Sequence, residues 1–201
     1  MKALPASFYQ RPTEQVAKEL VGKVLVRNIL SENRRCRLAG VIVETEAYGH
    51  GDDSASHAHR GQTRRNAVMF GQVGRAYVYF TYGNHHCVNV SARSHDAAAG
   101  AVLIRGIEPV EGLGEMKEAR QVDDIRLLAS GPGRLTQALR ITLGENGLNM
   151  TSPSSGLWIE RGEEREAVAT ERIGITKAAD RKWRFIDPSS AFTSRKMRNF
   201  S

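Results

Sequence analysis

Two apolar-rich runs, Ala76–Tyr82 (AYVYFTY) and His85–Ala92 (HHCVNVSA), are separated only by Gly83 and Asn84. β-Branched and aromatic residues on both sides of such a pair specify an antiparallel hairpin with a two-residue turn. Period-two alternation puts Tyr77, Tyr79 and Thr81 on one face of the first strand, and Val78, Phe80 and Tyr82 on the other. Tyr82 then stands at the tip, opposite His85. An aromatic ring at an exposed tip is costly unless it meets something flat and apolar. The alternative is a hairpin folded back onto the domain with Tyr82 in the core.

The rest of the chain mixes helices and strands. Thr13 is positioned to cap a helix over Glu14–Val21 that Gly22 ends. Lys23–Ile29 reads as a strand, Ser31-Glu32-Asn33 as a turn, and Arg37–Tyr48 as a long second strand. Further strands are expected at Ala101–Ile107, Leu157–Glu160, Arg172–Ile175 and Trp183–Ile186. The acidic stretch Glu111–Asp124 reads as surface helix and loop, and Gly131-Pro132-Gly133 breaks the chain ahead of a helix near Arg134–Arg140. There is no βαβ rhythm, so the expected class is α+β. With no repeat and no linker, residues 1–201 read as one domain, long enough to bury a sizeable core.

Four segments carry possible chemistry. In VETEAY, alternation places Ile42, Glu44, Glu46 and Tyr48 on one face and Val41, Val43 and Thr45 on the other. A carboxylate aimed at a partly dry pocket is a natural general base; the plainer reading is an edge strand with both glutamates in water. The loop after Gly49 gathers His50, Asp52, Asp53, His57 and His59. Imidazole and carboxylate suit several divalent ions, which keeps a metal-dependent hydrolase in view, but His57 and His59 lack the i, i+4 spacing of a helical zinc pair. Tyr82 suits a stack on a nucleobase, as minor-groove proteins use wedges between base steps. Gly131-Pro132-Gly133-Arg134 is a weak signal for phosphate binding.

Charge points the same way without deciding it. The chain carries +7, with +6 in residues 1–107, −4 in 108–124, −1 in 125–171 and +6 in 172–201. A polyanionic partner is one explanation; two solvated basic faces are the other. Cys36 and Cys87 make neither a disulfide framework nor a structural zinc site. No run approaches ~18 consecutive apolar residues, so no membrane span is expected, and MKALPASFYQRP lacks the apolar run of a secretion signal.

Taken together, VETEAY, the D-S-A-S-H loop, G-Q-T-x-R-N followed by M-F, and YVYFTYG followed by C-V-N-V-S resemble the 3-methyladenine (alkyladenine, methylpurine) DNA glycosylases of the human-enzyme type. Weaker similarity continues through VLIRGIEPVEG, GPGRL and R-I-G-I, so the resemblance spans nearly the whole chain. It implies that Glu46 is the general base that deprotonates a water and that Arg105 helps hold that water. It implies that Tyr48, His57 and Tyr79 sandwich and hydrogen-bond a flipped base, that Asn89 crowds the exocyclic amino group of normal guanine, and that Tyr82 fills the gap left in the duplex. Arg134 is the expected DNA-backbone contact. Asn84, His85 and His86 depart from the larger apolar residues of the family and make this tip more polar.

The expectation is a single compact α+β domain with a mostly antiparallel curved sheet, flanking helices and a protruding β-hairpin. Its basic tail, about residues 195–201, is expected to be mobile. The activity expected is monofunctional excision of alkylated or deaminated purines from double-stranded DNA, by a monomer in the cytoplasm, nucleoid or nucleus. No lysine sits in VETEAY or YVYFTYG to form a Schiff base. No cofactor and no metal are expected. A non-catalytic damaged-DNA-binding module of the same fold is the alternative.

Overall fold

The run read as a long second strand is the spine of the sheet. In the computed structural model, which describes residues 2–31, 34–81, 83 and 85–194, the elements in chain order begin with α1 (Ala6–Tyr9), α2 (Thr13–Leu20), β1 (Val24–Ser31) and β2 (Arg34–Tyr48). Then come α3 (Ala67–Phe70), β3 (Ala76–Thr81), β4 (His85–Ser91), β5 (Ala101–Glu111), α4 (Leu113–Arg120), α5 (Ile125–Leu128) and α6 (Pro132–Ala138). The last strands are β6 (Leu157–Glu160), β7 (Val168–Thr170) and β8 (Arg184–Ile186). The sheet runs β3-β4-β5-β2-β1-β6, with β8 paired to β2 and β7 to β8, and every strand pair is antiparallel. It curls into a half-barrel, an α+β architecture with few helices.

β2 has two halves with different neighbours. Its first half pairs with β1, from Ser31↔Arg34 to Val24↔Val41. At Glu44–Glu46 it lies between β5 and β8. The two glutamates therefore sit in mid-sheet, not on a wet edge. The main core joins Val16, Ala17 and Leu20 of α2 to Ile42, Ile104, Ile107 and Leu135. A smaller cluster, Ala58, Met69, Tyr77, Ala99 and Ala101, is flanked by Tyr48 and Tyr79.

Strict alternation along β2 does not hold. Pairing with β5 steps from Ile42↔Ile107 to Glu44↔Gly106, leaving Val43 as an extra residue, then to Thr45↔Ile104, leaving Arg105 extra on β5. Each bulge reverses the side-chain phase. Ile42 therefore belongs to the main core, and the Thr45 hydroxyl donates to the Ala17 carbonyl of α2 at 2.8 Å. Glu44, Glu46 and Tyr48 share the other face. Grouping Ile42 with the glutamates is thus corrected.

Four further readings change. Thr13 is the first helical residue, not the cap; Pro12 precedes it, and the Thr13 hydroxyl donates to the Ala92 carbonyl at 2.9 Å. The hairpin register begins at Thr81↔His85 with Gly83 at φ +74°, so Thr81, not Tyr82, stands opposite His85. The strand expected at Arg172–Ile175 is instead irregular: Gly174 has φ +75°, Arg172 is buried, and the short strand lies earlier, at Val168–Thr170. β5 continues beyond Ile107 to Glu111 because the long β2 supplies partners as far as Ala39. Tyr82, Asn84 and the tail 195–201 lie outside the described residues.

Tyr9 tests the packing. Its ring is fully buried edge-on against Phe8 at 5.3 Å, and its hydroxyl has no hydrogen-bond partner among the described residues. An unpaired buried hydroxyl costs stability. Tyr9→Phe is therefore expected to leave thermal stability unchanged or raise it by up to about 1 kcal/mol, read from melting curves; a clear loss would show that the hydroxyl has a partner.

Candidate active site

Two carboxylates and a guanidinium converge where β2 and β5 bulge. Glu44 and Glu46 are completely buried and Arg105 is 8% exposed. Glu46 Oε2 accepts from the Tyr48 hydroxyl at 2.8 Å and from Arg105 Nη1 at 3.2 Å. Its Oε1 accepts from the Ile173 amide at 2.7 Å. A carboxylate offers about four acceptor positions, so among the described residues one is left open on Oε1. Burial pushes the Tyr48 phenol well above its ordinary range, and the neighbouring Glu46 pushes it further. Tyr48 thus remains a donor to Glu46.

Glu44 is more fully engaged. Its Oε1 accepts from Arg105 Nε at 3.0 Å, Arg184 Nε at 2.7 Å and the Ser194 hydroxyl at 2.8 Å; its Oε2 accepts from the Ser194 amide at 2.6 Å. Burial acts to raise the Glu44 pKa, but Arg105, Arg184 and Ser194 outweigh it and hold the carboxyl below its usual range. Gly106 allows this crowding, since a side chain there would meet the Phe192 carbonyl at 3.1 Å and Glu44 at 3.5 Å.

Arg105 forms one wall of a cavity of about 270 Å³. Tyr48, His57, Tyr77, Tyr79, Asn89 and Ile173 line the rest, with Met69, Thr81, Cys87, Leu103 and Pro132. The alternation read for β3 holds here: Tyr77, Tyr79 and Thr81 face the cavity, Val78 enters the main core, and Phe80 is 46% exposed. His57 packs edge-on to Tyr79 with centroids 4.7 Å apart, and its Nδ1 lies 2.9 Å from the Tyr77 hydroxyl. Burial, then Arg65, lowers the His57 pKa and favours the neutral ring. Asn89 Nδ2 donates to the Tyr77 carbonyl at 2.9 Å, which fixes its amide plane.

A second buried pair holds the walls together. Arg172 and Asp53 side chains are wholly buried and make a bidentate contact, Nη1 to Oδ2 and Nη2 to Oδ1, both at 2.7 Å. The Arg172 guanidinium lies 4.8 Å from the Tyr48 ring centre, and the next residue supplies the Ile173 amide to Glu46. Asp53 also accepts from the Gly49 amide at 3.0 Å and the Ala55 amide at 3.3 Å, while Asn66 Nδ2 donates to the His57 carbonyl at 2.8 Å. Sequence reasoning missed Arg172, since 119 residues separate it from Asp53. It also passed over Tyr77, although alternation had already placed that ring beside Tyr79.

The remaining candidates separate. His50 packs edge-on to Phe70 at 5.5 Å, and Asp52 pairs with Arg181 at 3.1 Å. Among the described residues no three His, Cys, Asp or Glu side chains are grouped to hold a metal ion, and no helix is long and apolar enough to cross a membrane. Arg134 is exposed beside Ser130 and, with His85, Arg120 and Gly131–Gly133, lines a neighbouring hollow that meets the cavity at Thr81, Cys87 and Pro132. The acidic stretch is largely paired: Glu108 with Arg165, Glu111 with Arg37, Glu118 with Arg140 and Asp124 with Arg126.

Comparison with known proteins decides the family. Residues 7–191 match the methylpurine-DNA glycosylase family. The chain belongs to that family. It is 48% identical over 198 residues to a protein of Koribacter versatilis, covering 96% of this chain and 93% of the relative. It is 47% identical over 200 residues to one from Methanoculleus marisnigri, covering 96% and 99%. A Rhodopseudomonas palustris (strain HaA2) relative is 48% identical over 187 residues, covering 93% and 88%. All three relatives carry the provisional name 3-methyladenine DNA glycosylase. Membership makes this chain a DNA-repair enzyme, a hydrolase acting on N-glycosyl bonds.

The Asp53–Arg172 pair gives this glycosylase a defined acid response. Burial acts to raise the Asp53 pKa, but Arg172 and the Gly49 and Ala55 amides outweigh it and lower it. A depressed folded pKa stabilises above the unfolded value of about 3.9 and is lost as pH falls through the folded one. Melting temperature is therefore expected to fall with acidification below about pH 5. Asp53→Asn, which leaves Arg172 buried without its counter-charge, is expected to cost about 3–5 kcal/mol and to flatten that slope. An unchanged slope in melting curves would exclude Asp53 as its source.

Proposed function

We propose that this enzyme is a monofunctional glycosylase that flips a damaged purine out of double-stranded DNA and hydrolyses its N-glycosidic bond. The observation that carries this reading is Glu46, wholly buried and held by Arg105, Tyr48 and the Ile173 amide beside an aromatic-walled cavity. At about 270 Å³, the cavity lies near the lower end of ligand-site volumes and suits one bicyclic base better than a nucleotide.

In this reading the extruded base stacks between Tyr48 and Tyr79, a contact worth ~1–3 kcal/mol per base that favours an electron-poor alkylated ring. His57 hydrogen-bonds the base edge, and Asn89 crowds the exocyclic amino group of normal guanine. Glu46 takes a proton from a water that Arg105 helps hold, as the water attacks the sugar carbon. The carboxylate also stabilises positive charge developing on the sugar. Alkylation improves the leaving base, so one carboxylate suffices where glycosidases need two. Tyr82 fills the gap in the duplex, and Arg134 contacts the backbone, where charge steers binding without reading the lesion. The substrates are 3-methyladenine, 7-methylguanine, hypoxanthine and ethenoadenine. The enzyme acts as a monomer without cofactor or metal.

The deciding experiment is base release from methylated DNA and from duplexes carrying each of the other lesions. Glu46→Gln is expected to slow release by about 10²–10⁴-fold while lesion-duplex binding persists. Wild-type rates in that variant would remove Glu46 as the base, and binding without release by the wild type would favour a non-catalytic damage-binding module. Tyr82→Ser is expected to weaken lesion-duplex binding more than it slows release from a pre-flipped substrate, measured by binding and single-turnover assays side by side. Equal effects would argue against a wedge.

A further inference from the structure

Glu44 and Glu46 lie two residues apart on one face of β2, both wholly buried, but their surroundings differ. Four donors meet Glu44: Arg105 Nε, Arg184 Nε, and the Ser194 hydroxyl and amide. Three of these donors crowd Oε1 and one meets Oε2, so both guanidiniums and the Ser194 hydroxyl fix the same oxygen. Glu46 has three donors and one open position. Arg105 bridges the two, with Nε on Glu44 at 3.0 Å, Nη1 on Glu46 at 3.2 Å and Nη2 on the Ser194 hydroxyl at 3.4 Å.

Resting on the reading that Glu46 is the base, we propose that Glu44 is a positioning residue that acts through Arg105, fixing the guanidinium plane against Glu46 and the cavity. A long, rotamer-rich side chain held at one N–H can pivot; held at both Nε and Nη1 it cannot. Arg105 is also the bulge residue of β5, without regular ladder pairing to set its direction. Three of its five N–H donors are engaged among the described residues, and the others remain for the cavity that it lines. Arg184 lies on the opposite side of Glu44 and donates from β8. Neutralising Glu44 would leave Arg105 and Arg184 sharing a lost counter-charge, and their repulsion would turn Arg105 away from its place. Glu44→Gln also sets an amide NH₂ or a weakened acceptor where the two Ser194 donors and two guanidiniums now bind.

The test is a double-mutant cycle with single-turnover base release and lesion-duplex Kd as readouts, on the duplex the wild type processes best. Glu44→Gln is expected to slow release by about 10- to 100-fold, the scale of a small misplacement of a catalytic group, with Kd unchanged. In the Arg105→Ala background it is expected to cost nothing further, because its effect runs through Arg105. Losses that multiply, or a Kd that weakens in step with the rate, would overturn the proposal. If Glu44→Gln does not fold, Ser194→Ala, which removes the hydroxyl shared by Glu44 and Arg105, takes its place in the same cycle with the same two outcomes. Failure of Glu46→Gln to slow release would sink the catalytic reading itself, so the two failures are distinguishable.

Discussion

Two carboxylates shut away from water on the same face of one strand repel each other unless positive charge is placed with them. Here Arg105 lies between Glu44 and Glu46, and Arg184 completes the set from the far side of Glu44. The local balance of two anions and two cations is what allows a mid-sheet strand to carry acids into a dry interior. It also dictates topology. β5 must supply Arg105, β8 must supply Arg184, and the chain after β8 must return so that Ser194 can cap Glu44. The half-barrel is therefore closed around its charges as much as around its apolar core.

The Asp53–Arg172 pair performs a different task. It joins the loop after β2 to the irregular segment between β7 and β8. Both segments line the cavity, and neither belongs to a regular element that could hold it. A buried, bidentate ion pair offers direction as well as attraction, and the guanidinium at the Tyr48 ring ties that direction to the aromatic wall. The two ion clusters meet at Glu46: one supplies Arg105, the other brings the Ile173 amide into register.

Much of this was legible in the residues. The antiparallel pairing of β3 with β4, the long strand, the acidic surface helix and the facing of Tyr77 and Tyr79 follow from alternation and composition, and the structure keeps them, though not the turn register. Glu46, Arg105, Tyr48, His57, Tyr79 and Asn89 came from resemblance to a family, and their side chains converge in space. What escaped was whatever depends on partners far apart in the chain. Arg172 is an ordinary arginine until Asp53 is set against it. Ile42 seemed to share a face with the glutamates because a bulge leaves no compositional mark. The Arg172–Ile175 run has strand-like residues, yet the Arg172 side chain is committed to Asp53 and Gly174 turns the backbone out of extended geometry.

The paired bulges at Val43 and Arg105 carry a consequence for how this site can change. An extra residue on each of two neighbouring strands resets parity, so that the apolar code before the bulge and the polar code after it are read from opposite sides. Substitutions can vary each half separately. A deletion of one paired residue cannot: losing Thr45 would send Tyr48 toward the core and Ala47 toward the cavity at a stroke. The length of these strands should therefore be nearly frozen, so that insertions and deletions collect in the connecting loops.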